Sequence, residues 1–229
     1  MSEVTKFAKK INIDTEKLLG DWIVCIPGFT LQKYRQLQRS KLSIFAMNCF
    51  GPIISHNLGL QFHSPFVNMF LSVKDQIKFL RCPRIYMEEK LVFKETKYNE
   101  VDKFDYPVCL MGNVALHMNH YHSFDESVDK WNRRKQRINW YNLFVTAYTE
   151  NQSLLEEFDN FPYSKKVCFV TFKSDLDSVF YINLDVVEKI FGTKLELWDI
   201  VNRFAAGHVF FFDMFDMLLY GKKTPLIQM

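Results

Sequence analysis

SIFAMNCFGPIISHNLGLQFHSPFVNMF, from Ser43 to Phe70, sets polar chemistry inside apolar sequence. The apolar run Leu42 to Met47 has the length of a buried strand. It leads straight into Asn48, Cys49 and Gly51, and His56, Asn57, Gln61, His63 and Ser64 follow within a few residues. Phe50 to Leu58 reads as a short helix ended by Gly59, and Ser64-Pro65 marks a turn before the second apolar run, Phe66 to Leu71. Strand, polar turn, helix is the order in which open α/β sheets present ligand sites at their carboxyl edges.

Outward from this stretch, strands and helices alternate. Thr30 is placed to cap a helix through Leu31, Tyr34 and Leu37, and Lys74 to Arg81 reads as a helix with Ile77 and Leu80 inward. Lys90 to Phe93 is a weak strand, and the charged Lys94 to Asp105 reads as a loop. Tyr106 to Leu110 and Val114 to Met118 are short strands about a Gly112-Asn113 turn. Asp125 to Glu150 carries the strongest helical spacing, with Ser123 as N-cap and Asp125 and Glu126 in the first turn. Lys166 to Phe172 and Val179 to Asn183 are further strands. Leu184 to Phe191 reads as a helix closed by Gly192, and Leu195 to Ala205 as another. Phe211, Met214, Phe215 and Leu218 lie at helical spacing, with Asp213 and Asp216 opposite. This is an amphipathic pattern that suits a core-docked terminal helix better than a membrane anchor. The expected fold is a single α/β domain over residues 1–229, with residues 1–40 as an N-terminal arm and helix. It should hold a mostly parallel sheet, some antiparallel pairing, and helices on the faces.

The chain has 229 residues, enough to bury a large core, and its 23 Phe against 8 Gly must mostly fill it. A net charge of +3 is too small to imply nucleic acid, and none is expected as a partner. Cys25, Cys49, Cys82, Cys109 and Cys168 are odd in number and contain no C-x-x-C, so reduced thiols in a cytoplasmic protein are expected rather than a disulfide framework. The charged N-terminus lacks the apolar core of a signal peptide, and no apolar run has spanning length, so any membrane association would be peripheral. No G-x-G-x-x-G, P-loop or G-x-S-x-G occurs, which excludes the usual dinucleotide, P-loop and serine-hydrolase designs.

Three constellations carry candidate chemistry. Cys49, at a strand end and a helix start, has the setting of a nucleophile, and Asn48 beside it is a donor for an oxyanion or ligand. The plain alternative is a small buried thiol and an asparagine that closes a turn. His120 is the candidate general base. His117, His120 and His122 with His56 and His63 lack a carboxylate at metal-site spacing, so no metal or other cofactor is expected. The run Lys130 to Arg137 stacks Lys130, Arg133 or Arg134, and Arg137 along one side of the expected helix, suited to phosphates, with Trp131 packing it on the other. A solvated charged face is the alternative.

Asn48-Cys49-Phe50-Gly51, the run from Asn57 to Phe66, Tyr106-Pro107-Val108, His120-Tyr121 and Lys130-Trp131-Asn132-Arg133-Arg134-Lys135-Gln136-Arg137-Ile138-Asn139 together resemble an uncharacterised family usually labelled exopolysaccharide biosynthesis protein. The resemblance implies an α/β domain that makes or decorates cell-surface polysaccharide. It puts weight on Asn48, Ser64, His120, Trp131, Arg133, Arg134 and Arg137, whereas Pro52, His56 and His63 depart from the pattern. The expected function is a transferase moving a glycosyl or acyl group from an activated donor, a nucleotide sugar or acyl-CoA, to a saccharide acceptor. His120 and Cys49 would be catalytic, with Cys49 the nucleophile only in acyl transfer. Asn48, Asn57, Ser64, Tyr121, Trp131, Arg133, Arg134 and Arg137 would bind substrate. The alternative is a non-catalytic module that binds an anionic glycan or a partner enzyme.

Overall fold

The computed structural model describes residues 23–226. The expected N-terminal arm, residues 1–20, lies outside the described residues. A 3-10 turn over Ile23–Cys25 precedes α1 (Leu31–Arg39), β1 (Ser43–Ala46), α2 (Phe50–Asn57), α3 (Val73–Arg81) and α4 (Pro83–Glu88). Next come β2 (Leu91–Asn99), β3 (Phe104–Met111), β4 (Val114–His117), α5 (Phe124–Lys135), β5 (Leu143–Tyr148) and α6 (Gln152–Asp159). The chain ends with β6 (Lys166–Val170), β7 (Val179–Tyr181), α7 (Leu184–Phe191), α8 (Leu197–Ala205) and α9 (Met214–Tyr220). This is a mixed α/β domain.

β1, β5, β6 and β7 form a parallel sheet in that order, and β2, β3 and β4 form a separate antiparallel one. Alternation along each parallel strand divides the core in two. Ile44, Ala46, Phe144, Val167 and Phe169 face α1, α2, α8 and α9. Phe45, Met47, Val145, Ala147, Cys168 and Val170 face α3, α6, the antiparallel sheet and Trp131 of α5. Because both faces are covered, these strands read as continuous apolar runs.

That continuity explains one departure from expectation. The helical spacing of Asp125 to Glu150 does not make one helix: α5 stops at Lys135, Gln136 caps it, and Leu143–Tyr148 becomes β5, at the centre of the sheet. A fully buried strand has no period-two signature to set against a helical one. The second departure is Lys94 to Asp105, which is a hairpin rather than a loop. β2 and β3 pair along its length, with a register shift between Phe93 and Glu95. Most of β2 is exposed on both faces, so polar residues run consecutively from Lys94 to Lys97 and the alternation is lost.

The caps follow the sequence. Thr30 accepts from the Lys33 amide and Ser123 from the Glu126 amide, and Gly192 closes α7 in a left-handed conformation. The acidic side of the terminal helix is not left to solvent: Lys33 of α1 pairs with Asp213 at 2.9 Å and Asp216 at 2.7 Å. Asp213 also caps α9, accepting from the Phe215 and Asp216 amides, both at 2.9 Å. Gly28 sits beside it with φ +83°, and a Cβ there would fall 1.9 Å from an Asp213 carboxylate oxygen. Gly28→Ala therefore combines left-handed strain with a displaced cap. A destabilisation of about 2–4 kcal/mol is expected in chemical denaturation, and a change within 0.5 kcal/mol, roughly what an indifferent surface site shows, would contradict the packing described.

Candidate functional site

Where β1 leaves the sheet, Asn48 shapes the exit. Its Oδ1 accepts from the Phe50 amide at 3.1 Å, and its Nδ2 donates to Asn202 Oδ1 of α8 at 3.0 Å. Cys49 then occupies the N-cap position of α2, with its side chain making no capping bond. The half-buried sulfur instead lies 3.9 Å from His120 Nε2. Burial pushes the Cys49 thiol above its ordinary pKa, while the positive end of α2 favours the thiolate.

His120 lies in the turn between β4 and α5, where the Tyr121 amide donates to Met118 O. Its other ring nitrogen, Nδ1, is 3.2 Å from Asp102 Oδ2, and both side chains are partly exposed. Asp102 comes from the tip of the β2–β3 hairpin. Asn99 builds that tip: its Oδ1 accepts from the Val101 and Asp102 amides at 3.0 and 3.1 Å. Its Nδ2 donates at 2.9 Å to Asp102 Oδ2 and at 2.9 Å to Asn119 O, next to His120. The result is a thiol, an imidazole and a carboxylate in line, the arrangement of nucleophile, base and orienting acid.

The structure brings Asn48, Cys49 and His120 together. Tyr121 and Arg134 lie just behind them. The buried Tyr121 hydroxyl donates to Val67 O at 2.7 Å and accepts from Arg134, and burial raises its pKa against the pull of that guanidinium. The other candidates are occupied elsewhere. Asn57 donates to Ala205 O at 3.2 Å, tying α2 to α8. The buried Ser64 accepts from the Phe66 amide at 3.2 Å, closing its own turn. Trp131 is 2% exposed and packs edge-on against Phe66, a core residue rather than a substrate platform. The arginines do not form one row: Arg133 is exposed in the last turn of α5, and Arg137 lies past its end, its carbonyl facing His63 Nδ1 at 3.1 Å.

Asp102 and Asn99 fall within Lys94 to Asp105, whose charge pattern reads as a loop rather than as part of a site. The Asn99-x-x-Asp102 spacing is a turn signal, yet nothing in it points to His120. Tyr148, at the end of β5, was also missed. Burial pushes its phenol up to about 12, with the charges of Cys49 and Glu196 adding to the effect. Asp175-Leu176-Asp177, a D-x-D sequence, lies before β7 at the opposite edge of the sheet from Cys49. There Asp177 shares a surface pocket with Lys166 and Lys223. Among the described residues no group of three or more His, Cys, Asp or Glu side chains could hold a metal ion, and no helix is long and apolar enough to cross a membrane.

The chain is similar to a protein of Haemophilus influenzae described as an uncharacterized protein, with 34% identity over 144 residues. That match covers 61% of this chain and 66% of the relative, so the chain spans just under two thirds of its length. Residues 24–217, most of the sequence and all of the Cys49, His120 and Asp102 cluster, match the family described as a domain of unknown function, DUF1919, and to that family the chain belongs.

Proposed function

We propose that the protein is an acyltransferase that carries its acyl group on Cys49 and delivers it to a saccharide hydroxyl in cell-surface polysaccharide biosynthesis. The observation that carries this reading is the line of Cys49 Sγ, His120 and Asp102, at 3.9 and 3.2 Å. Burial pushes the Cys49 thiol up, so the reading calls for a base to take its proton. His120 Nε2 takes the thiol proton, and the thiolate attacks the carbonyl carbon of a donor thioester such as an acyl-CoA. The tetrahedral intermediate collapses, the C–S bond to the donor breaks, and His120 returns the proton to the departing donor thiolate. The acceptor hydroxyl then gives its proton to His120 and attacks the Cys49 thioester. Cys49 leaves as thiolate and is reprotonated by His120. Asp102 holds the imidazole in the tautomer that presents Nε2 to sulfur. Through α2, the positive end of a helix dipole lies beside both the thiolate and the developing oxyanion.

The acceptor class comes from the resemblance to proteins labelled for exopolysaccharide biosynthesis, and a cytoplasmic setting fits an acyl-CoA donor. Glycosyl transfer has less support. The D-x-D sequence stands at the far edge of the sheet, and a glycosyl transferase needs no thiol facing a base. Incubation with an acyl thioester in the absence of acceptor should add one acyl mass to Cys49, read by intact-mass and peptide mass spectrometry. No adduct with any thioester tried would sink the reading. Asp102→Asn should slow acyl-enzyme formation by about 10³–10⁴-fold while leaving the melting temperature in place, with Asp102→Glu restoring part of the rate. An unaltered rate would remove Asp102 from the mechanism.

A further inference from the structure

A cleft of about 660 Å³ opens at the carboxyl ends of β1 and β5, a volume in the range of small-molecule sites. Met47, Leu71, Tyr148, Leu195 and Trp198 supply much of its wall. Two chain segments run from its wall to the Cys49 turn. Met47 is two residues before Cys49 on the same exit from β1. Trp198 and Asn202 are one turn apart on the same face of α8, and Asn202 is bonded to Asn48. We propose that this cleft holds the hydrocarbon chain of the acyl group, so that the donor is a medium- or long-chain acyl thioester rather than an acetyl thioester. The assignment rests on the acyl-transfer reading above.

The chemistry of the walls selects the occupant. The polar groups at the mouth include two exposed carboxylates, Glu150 and Glu196, which disfavour the phosphates of a nucleotide or an anionic glycan. Both helix starts on the rim carry acidic residues. Ser72 caps α3 and bonds Asp75, and α8 has Glu196 at its N-cap and Asp199 in its first turn. Trp198, 47% exposed, and Leu184, 42% exposed, leave apolar area on the rim that a hydrocarbon chain would cover. Tyr148 lines the cleft, and charge on Cys49 acts on its phenol, so the β5 wall of the cleft lies toward the sulfur.

The test compares decanoyl-CoA with acetyl-CoA as donors to the full chain, following Cys49 acylation by intact mass. Each buried methylene is worth about fourfold, so four or more in the cleft give a preference of about 100-fold or greater for decanoyl in kcat/KM. Equal rates overturn this inference and leave acyl transfer standing. No acylation by either donor overturns both. Leu195→Trp, which narrows the cleft, should lower the decanoyl-to-acetyl ratio at least about tenfold, and an unchanged ratio would put the chain elsewhere. Leu184→Lys, at an exposed rim position, gives the same reading should the first variant fail to fold.

Discussion

Cys49→Ala is expected to reduce acyl transfer by about 10⁴-fold or more, with the protein still folded. The size follows from the role, because removing the nucleophile of a triad leaves only what binding and oxyanion stabilisation supply. The fold should survive because the thiol caps nothing and is only half-buried. The turn around it is held by the Asn48 side chain and by the bond from the Ile53 amide to Cys49 O, neither of which needs the sulfur. Single-turnover transfer and thermal melting on the same sample separate chemistry from stability. A variant that keeps most of its turnover would rule out a covalent intermediate on this residue and return glycosyl transfer or simple binding to the lead.

Phe169→Ala should have the largest effect on stability. Phe169 sits in β6, one strand from the edge of the parallel sheet, and is fully buried. Its ring lies 6.1 Å from Phe50, 6.0 Å from Phe204, and 6.1 Å from both Phe180 and Phe212. Rings carried on a strand and three separate segments cannot all close on a smaller side chain, so a cavity remains. The expected cost is about 3–5 kcal/mol. That is a large part of the roughly 5–15 kcal/mol that holds a domain together, and should lower the melting temperature by about 6–20 °C for a chain of this size. Denaturation in urea with the slope unchanged would report it cleanly. A loss below about 1 kcal/mol would mean that this face relaxes freely, unlike a close-packed core. Phe50 follows Cys49 directly, so the same substitution should also loosen the nucleophile's turn.

What the sequence disclosed, it disclosed through punctuation. β1 and α2 are bounded by Asn48 and Gly59, and the caps at Thr30, Ser123 and Gly192 are local chemistry that no tertiary contact overrides. β5 stayed hidden because burial on both faces erased its alternation, and the β2–β3 hairpin because exposure on both faces did the same from the other side. Cys49 and His120 were legible as residue types. Their meeting was not, since it depends on how a turn after β4 folds back onto the end of β1. Polar residues in apolar surroundings are ambiguous in sequence. Asn57 and Ser64 satisfy backbone groups that the fold buries, which is the commoner work of such side chains.

Asn99 ties together groups from different levels of the structure. Its one amide side chain folds the hairpin tip, touches the Asp102 carboxylate and holds the carbonyl of Asn119 beside His120. The core residues Met118 and Tyr121 hold the turn that carries His120, whereas Asp102, the partner of its ring, stands on the exposed tip of the hairpin. Such a tip can lift by a local fluctuation that costs far less than global unfolding. Competence and foldedness are then separate properties of the molecule. Under the acyl-transfer proposal, a population can be fully native by every spectroscopic measure of its sheet and still contain members in which Asp102 has left His120, and anything that clamps the hairpin tip down would raise turnover without touching Cys49.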